Sequence, residues 1–233
     1  PRCGRGTWWR SSELLREVGC QQVRDVAPRA APVGAIIRAA IKEFSEHGYE
    51  NANTNEIAAK AGISVGSLFT YFENKRQLFL AVINIGAKKI EDSLNSVIHP
   101  EDTTEEKFEK LLRMILKTSR EEQDLVRLYR ELSSIGNKDL ISPLALSLET
   151  YSARTYEKLL DDGLKLGEVR SDIHLRMAAF HLDNIFVSLQ QAYACDYDGD
   201  RYEIYVSEGI SEKRFDDFVV SETMKVLRGA FLV

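Results

Sequence analysis

The amino-acid sequence predicts an all-α protein: an N-terminal three-helix helix-turn-helix domain followed by a larger helical bundle. Three observations carry that prediction. From about residue 33 onward, apolar residues recur at three- and four-residue spacing, which places them on one side of a helix. Cap residues stand just ahead of these runs and glycines just behind them. Sustained alternation and β-branched runs, the marks of strands, are scarce.

Residues 1–31 read differently from the rest. They hold both tryptophans, Trp8 and Trp9, and Pro28 and Pro32 break the chain where they end. They are read as an N-terminal extension, disordered or foreign to the working protein. After Pro32, Ile36, Ile37, Ala40, Ile41 and Phe44 fall at helical spacing, and Gly48 closes that helix. Asn53 is an N-cap with Glu56 three residues on, a capping-box spacing. It opens a short helix through Ile57, Ala58 and Ala61 that stops at Gly62. Ser64 caps a second short helix with Leu68, Phe69 and Phe72. Asn74 with Gln77 forms a further box and opens a long amphipathic helix through Leu78, Val82, Ile85 and Ile90.

Helix, glycine turn, helix is the helix-turn-helix arrangement, and the second short helix is the candidate recognition helix. Ile57, Ala58, Ala61, Ile63, Leu68 and Phe72 form its small core. Ser64, Gly66 and Ser67 are small enough to let the backbone approach DNA. Thr70 and Tyr71 are expected on the exposed face, their hydroxyls within reach of phosphates. An alternative is a helical binding module whose helix-turn-helix is structural only.

Segment 54–75 resembles the DNA-binding signature of TetR-type transcriptional repressors, and the match runs over 36–80. It is carried by Thr54, Ala58, Gly62-Ile63-Ser64, the small-rich turn Val65-Gly66-Ser67, Leu68-Phe69, Tyr71-Phe72 and Lys75. Phe69 departs from the pattern, since tyrosine is commonest there. The resemblance implies phosphate contacts from Thr54, Ser64, Tyr71 and Lys75. It places Asn55, Val65, Gly66, Ser67 and Thr70 near base edges. It also implies a homodimer on a palindromic DNA operator and a small-molecule effector that releases it. On this reading residues 32–80 are the DNA-binding domain and 81–233 the effector-binding and dimerisation domain, with the dimer seam in 172–195 and 211–231. The basic residues of 1–31 are compatible with an arm for the minor groove.

The C-terminal two-thirds continue in helices. Thr103 and Glu106 form a capping box ahead of Phe108, Leu111, Leu112, Ile115 and Leu116. A helix through Leu125, Leu128, Tyr129 and Leu132 runs to Gly136. Ser142-Pro143 reads as an N-cap with proline at the first helical position. That helix ends near Gly163 to Gly167. Asp172 is read as the start of the next, with Leu175, Ala178, Ala179, Leu182, Phe186 and Leu189 on one face. A polar loop over about 196–210 precedes a last helix from Ser211.

Composition bounds the function classes. The chain has 233 residues, 44% hydrophobic and 29% charged, which excludes wholesale disorder. Its net charge of −5 hides a gradient: +3 over 1–32, 0 over 33–78 and −8 over the remainder. A local DNA surface needs a few placed donors rather than a basic whole. The longest apolar runs are far short of a membrane span, and no apolar signal region opens the chain. Three scattered cysteines suit neither a disulfide scaffold nor a zinc site, so a reducing cytoplasm is expected.

Other constellations are weaker. His174, His181, Ser188, Asn184 and Gln191 make a polar stripe that suits solvent or the dimer seam better than a ligand. His174 and His181 stand roughly 10 Å apart along a helix, too far to share a metal. Asp196, Asp198 and Asp200 alternate like a calcium loop, but Arg201 occupies the place that needs glycine. Tyr129, Tyr151, Phe180 and Asn184 are nominated as lining the effector cavity that the resemblance implies. No phosphate loop, nucleophile elbow or metal motif is present, so neither enzyme activity nor a cofactor is expected.

Overall fold

The computed structural model describes residues 30–132, 138–206 and 212–233. Ten helices make up the described residues: α1 (Ala30–Asn51), α2 (Thr54–Lys60), α3 (Val65–Tyr71), α4 (Lys75–Val97), α5 (Thr104–Glu121), α6 (Gln123–Glu131), α7 (Lys138–Lys165), α8 (Leu175–Ala194), α9 (Asp196–Val206) and α10 (Glu212–Phe231). The one β feature among them is an isolated antiparallel bridge between Val169 and Leu232. No helix of the described residues is long and apolar enough to cross a membrane. Two compact units result, one up to Lys88 with Glu131–Leu144, the other Lys89–Arg130 with Ala145–Val233. Of the expected extension, residues 1–29 lie outside the described residues, as does Gly136.

The first unit is built around α1. Ile36, Ile37, Ala40, Ile41 and Phe44 are buried, as their spacing predicts. The helix includes Ala30 and Ala31 ahead of Pro32, because a proline in the first turn removes an N–H that has no partner there anyway. It is interrupted at Gly48, whose φ is 70°. Phe44, Tyr49 and Phe79 form an aromatic cluster, with Phe79 edge-on to Phe44 at 5.0 Å and tilted against Tyr49 at 4.8 Å. That cluster fastens the end of α1 to the start of α4, and each buried phenylalanine contributes about 1.5–3 kcal/mol.

The second unit buries Phe108, Leu111, Leu112, Ile115 and Leu116 of α5 against Leu159, Leu160, Leu182, Phe186 and Leu227 of α7, α8 and α10. The Thr103–Glu106 capping box forms as read from the sequence. Glu168 accepts from the Thr104 N–H at 2.8 Å and its hydroxyl at 2.7 Å, which fixes the end of α7 against the start of α5. Gly163 makes this approach feasible, since a Cβ there would meet Thr104 Oγ1 at 2.3 Å and Val169 Cγ2 at 2.7 Å.

Three helix boundaries differ from the sequence reading. Helix α7 starts at Lys138, so Ser142-Pro143 lies inside it; a proline early in a helix and one at its first position read alike. Asp172 does not start α8: it pairs with Arg170 at 2.6 Å, and His174 is the N-cap, its Nδ1 accepting from the Met177 N–H. Residues 196–206 are helical rather than a polar loop. Asp196 and Asp198 sit in the first turn of α9, where the helix dipole favours negative charge, and pair with Arg127 and Arg130.

Candidate nucleic-acid interface

Asn53 caps α2, its side-chain oxygen accepting from the Asn55 N–H at 2.9 Å and from Asn55 Nδ2 at 3.0 Å. The Asn53 N–H does not return to Glu56 in a capping box. It donates instead to Glu43 Oε1 of α1 at 3.1 Å. Glu43 is 1% exposed, and its other oxygen accepts from Lys60 Nζ at 2.8 Å. Burial by itself would raise this carboxyl, but the bonds from Lys60 and Asn53 hold its pKa below the ordinary value. One carboxylate thus ties α1 to both ends of α2. Sequence reasoning missed it, although the spacing of Ile36, Ala40 and Phe44 puts position 43 on the buried side, where a charge needs partners.

Helix α2 closes with the Gly62 N–H on Ala59 O and the Ile63 N–H on Ala58 O, both at 3.0 Å. This six-to-one closure needs a left-handed residue, and Gly62 provides it at φ 71°. Ser64 then caps α3 by accepting from the Ser67 N–H at 3.0 Å, and the two serine hydroxyls share a hydrogen bond of 2.9 Å. The Thr70 hydroxyl donates to Gly66 O at 3.0 Å. Asn55, Ser64, Gly66 and Thr70 are exposed, and Thr54, Val65, Ser67 and Lys75 partly so. The starts of both short helices therefore present small or polar groups and free backbone N–H donors, which suit phosphate and groove contact.

Two expected contacts sit differently. Tyr71 does not project from the exposed face: it is 8% exposed, while Phe69 is 41% exposed. Leu68, Tyr71 and Phe72 stand at i, i+3 and i+4, so burying Leu68 turns Tyr71 inward and Phe69 outward. Lys75 Nζ donates to the Glu50 carbonyl at 2.9 Å and lies over the Tyr49 ring at 5.2 Å. Burial holds its pKa below the ordinary lysine value. Its ammonium already joins the end of α1 to the start of α4, and a phosphate at this place would share it.

The nominated cavity residues of the second unit differ in their surroundings. Tyr151 donates to Asn95 Oδ1 at 2.9 Å and packs against the core. Burial raises the Tyr129 phenol well above its usual value. Phe180 is 58% exposed, and Asn184, also exposed, donates to the Phe180 carbonyl. These last two lie on the outer side of α8, because Ala179, Leu182 and Phe186 take its inner side.

Comparison with known proteins agrees with this geometry. The sequence profile for bacterial regulatory proteins of the tetR family matches residues 36–82. An HTH-type transcriptional regulator of Bacillus subtilis, YhgD, is 23% identical over 157 residues, covering 66% of this chain and 80% of the relative. A probable acrEF/envCD operon repressor of Escherichia coli is 25% identical over 177 residues, covering 73% and 78%. In structure, the transcriptional regulator FadR of Bacillus subtilis, crystallised with stearoyl-CoA, superposes with a TM-score of 0.66 at 17% identity, covering 84% of this chain and 97% of that one. Fold and helix-turn-helix together define a DNA-binding regulator. Residues 36–82 match the DNA-binding domain of the tetR family, and the chain is similar over most of its length to TetR-type transcriptional regulators.

Proposed function

We propose that this regulator is a repressor that binds a palindromic operator as a homodimer and is released by a small molecule held in its second unit. The observation that carries the reading is the N-terminal end of α3. There Ser64, Gly66, Ser67 and Thr70 leave a surface of small polar groups, stabilised by internal caps, on a helix whose other side is buried. Such a helix enters a major groove by its first turn. Val65, Gly66, Ser67, Thr70 and Asn55 are assigned to base edges. Thr54 and Ser64 are assigned to phosphates, and Lys75 to a phosphate it shares with the Glu50 carbonyl. Tyr71 is assigned a supporting place under α3, with at most its hydroxyl edge reaching the backbone.

The dimer seam is assigned to α8 and α10. Met177, Phe180 and Val187 are exposed along one side of α8, and Val226 is exposed on α10. Two-fold symmetry on such a seam pairs the recognition helices with half-sites about one DNA turn apart. Release follows if the effector binds one conformation better than the other, and α4, which follows Asn74, carries the shift to α3. The shift can be no larger than that difference in affinity. An acting place beside DNA makes the cytoplasm its compartment.

Selection of duplexes from a random pool by the purified, ligand-free chain tests this. A recovered palindrome, with affinity lost in Ser67→Ala and Thr70→Ala variants that remain folded, is the expected result. Recovery of no common sequence, with only weak salt-sensitive binding, overturns it.

A further inference from the structure

With α3 as the recognition helix, residues 64–72 meet the bases, yet they include no Arg, Lys, Asn, Gln, Asp or Glu. Those are the side chains that read a base edge through paired or charged hydrogen bonds. The hydroxyls of α3 are largely engaged within the helix. The Thr70 proton goes to Gly66 O at 3.0 Å, and the Ser64 and Ser67 hydroxyls share one bond of 2.9 Å. Leu68 and Tyr71 hold the other side of the helix in the core. Gly66, Phe69 and Thr70 stand at i, i+3 and i+4, so they share a face, and all three are exposed. Val65, four residues before Phe69, borders that face and is partly exposed.

The fold itself requires neither Gly66 nor an exposed ring. Phe69 is 41% exposed, while Tyr71 and Phe72 beside it are buried, and its ring meets no other ring among the described residues. Gly66 lies inside α3 and is not left-handed. A Cβ at this place would meet only Ser64 Oγ, at 3.8 Å, an ordinary contact. Alanine would therefore fit, and would favour the helix. A position left bare next to an exposed ring is a notch on the outer surface of α3, open to a small apolar group that approaches the backbone closely.

We propose that Phe69, Val65 and the Thr70 methyl group seat the C5-methyl group of a pyrimidine over Gly66. Each half-site is then selected for a 5-methylpyrimidine by apolar contact. This rests on the reading of α3 as the recognition helix. The C5-methyl group of thymine stands out into the major groove, and phenylalanine is a side chain that contacts it there. Phe69 has no hydroxyl with which to bind a phosphate instead. Because no side chain of this face pairs with the 4-position of the base, 5-methylcytosine is accepted in place of thymine and cytosine is not.

The full chain and the operator recovered by selection test this. The operator is resynthesised with deoxyuridine for thymine at one symmetrical pair of positions at a time. At one pair the loss of a methyl contact in each half-site lowers affinity about tenfold, while the other pairs change it by less than about twofold. At the sensitive pair 5-methylcytosine keeps most of the affinity and cytosine loses about tenfold. Phe69→Ala, which removes an exposed side chain, stays folded and binds the thymine and deoxyuridine duplexes equally. Gly66→Ala melts at or above the parent temperature and yet binds the operator at least about tenfold more weakly, opposite signs that a purely structural glycine would not give. Deoxyuridine tolerated at every position, or a methyl sensitivity that survives in Phe69→Ala, overturns the inference and leaves the regulator reading intact. Recovery of no common sequence overturns both.

Discussion

Two acidic groups, one in each unit, meet opposite fates. Glu43 in the DNA-binding unit is deeply buried and fully served, by a lysine and a backbone N–H. Asp183 in the second unit is partly buried, and burial and then the charge of Glu149 act on it, with no donor to it among the described residues. Their pKa values move accordingly, Glu43 downward and Asp183 up to about 6. In the first unit the partners are all within the chain, because α2 and α3 must be held in one geometry to read DNA. Satisfied polar burial marks architecture here.

The comparison can be broken from either side. The largest expected effect is Glu43→Ala, which leaves Lys60 and the Asn53 N–H without their acceptor. It should cost about 3 kcal/mol in urea unfolding and abolish operator binding. If the variant keeps its stability, the carboxylate is not what fastens α2 to α1. Next is Gly163→Ala, where the new methyl collides with Thr104 and Val169. A loss of about 2 kcal/mol is expected, with operator binding by the remaining folded protein unchanged.

Asp183→Asn is expected to act in the opposite direction. The folded carboxyl titrates at about 6 against an ordinary 3.8, so the native state holds this proton more tightly than the unfolded chain. Its unfavourable contribution is therefore fully present above pH 6 and fades as pH falls toward 3.8. The variant should be more stable than the parent by about 1–3 kcal/mol at pH 7, with the gap closing in urea titrations at pH 4.5. A variant that is less stable at pH 7 would mean that Asp183 is served by the protein after all. The smallest effect is Ser64→Ala, which removes the α3 cap. About 1 kcal/mol of stability is expected to go, together with about tenfold in operator affinity at moderate salt.

How much of this was legible in the sequence depends on whether the partner was local. Ser64 capping α3 and Thr103 boxed with Glu106 were readable, since both members lie within one helical turn. The Asn53–Glu56 spacing was equally regular, yet Asn53 bonds to Glu43, ten residues back and brought near only by packing. Tyr71 and Phe69 could not be assigned by residue type, because both are large aromatics; the phase set by Leu68 decides between them. Helix α9 carries no buried residue of its own to form an apolar stripe, and Tyr202 is placed by Tyr193 and Phe215, at 6.4 and 6.2 Å. Phe180 and Asn184 were nominated for chemistry, but the orientation of α8 turned them outward and turned Asp183 in.

The sequence by itself determined the all-α class, the helix-turn-helix with its glycine turn and the TetR-type signature. Each of these is written in contacts of about five residues or fewer, where helical period and cap chemistry leave little choice. Only the tertiary structure decided which polar groups are paired. Glu43 found its donors across α1 and α2, because pairing depends on how helices pack their inner faces.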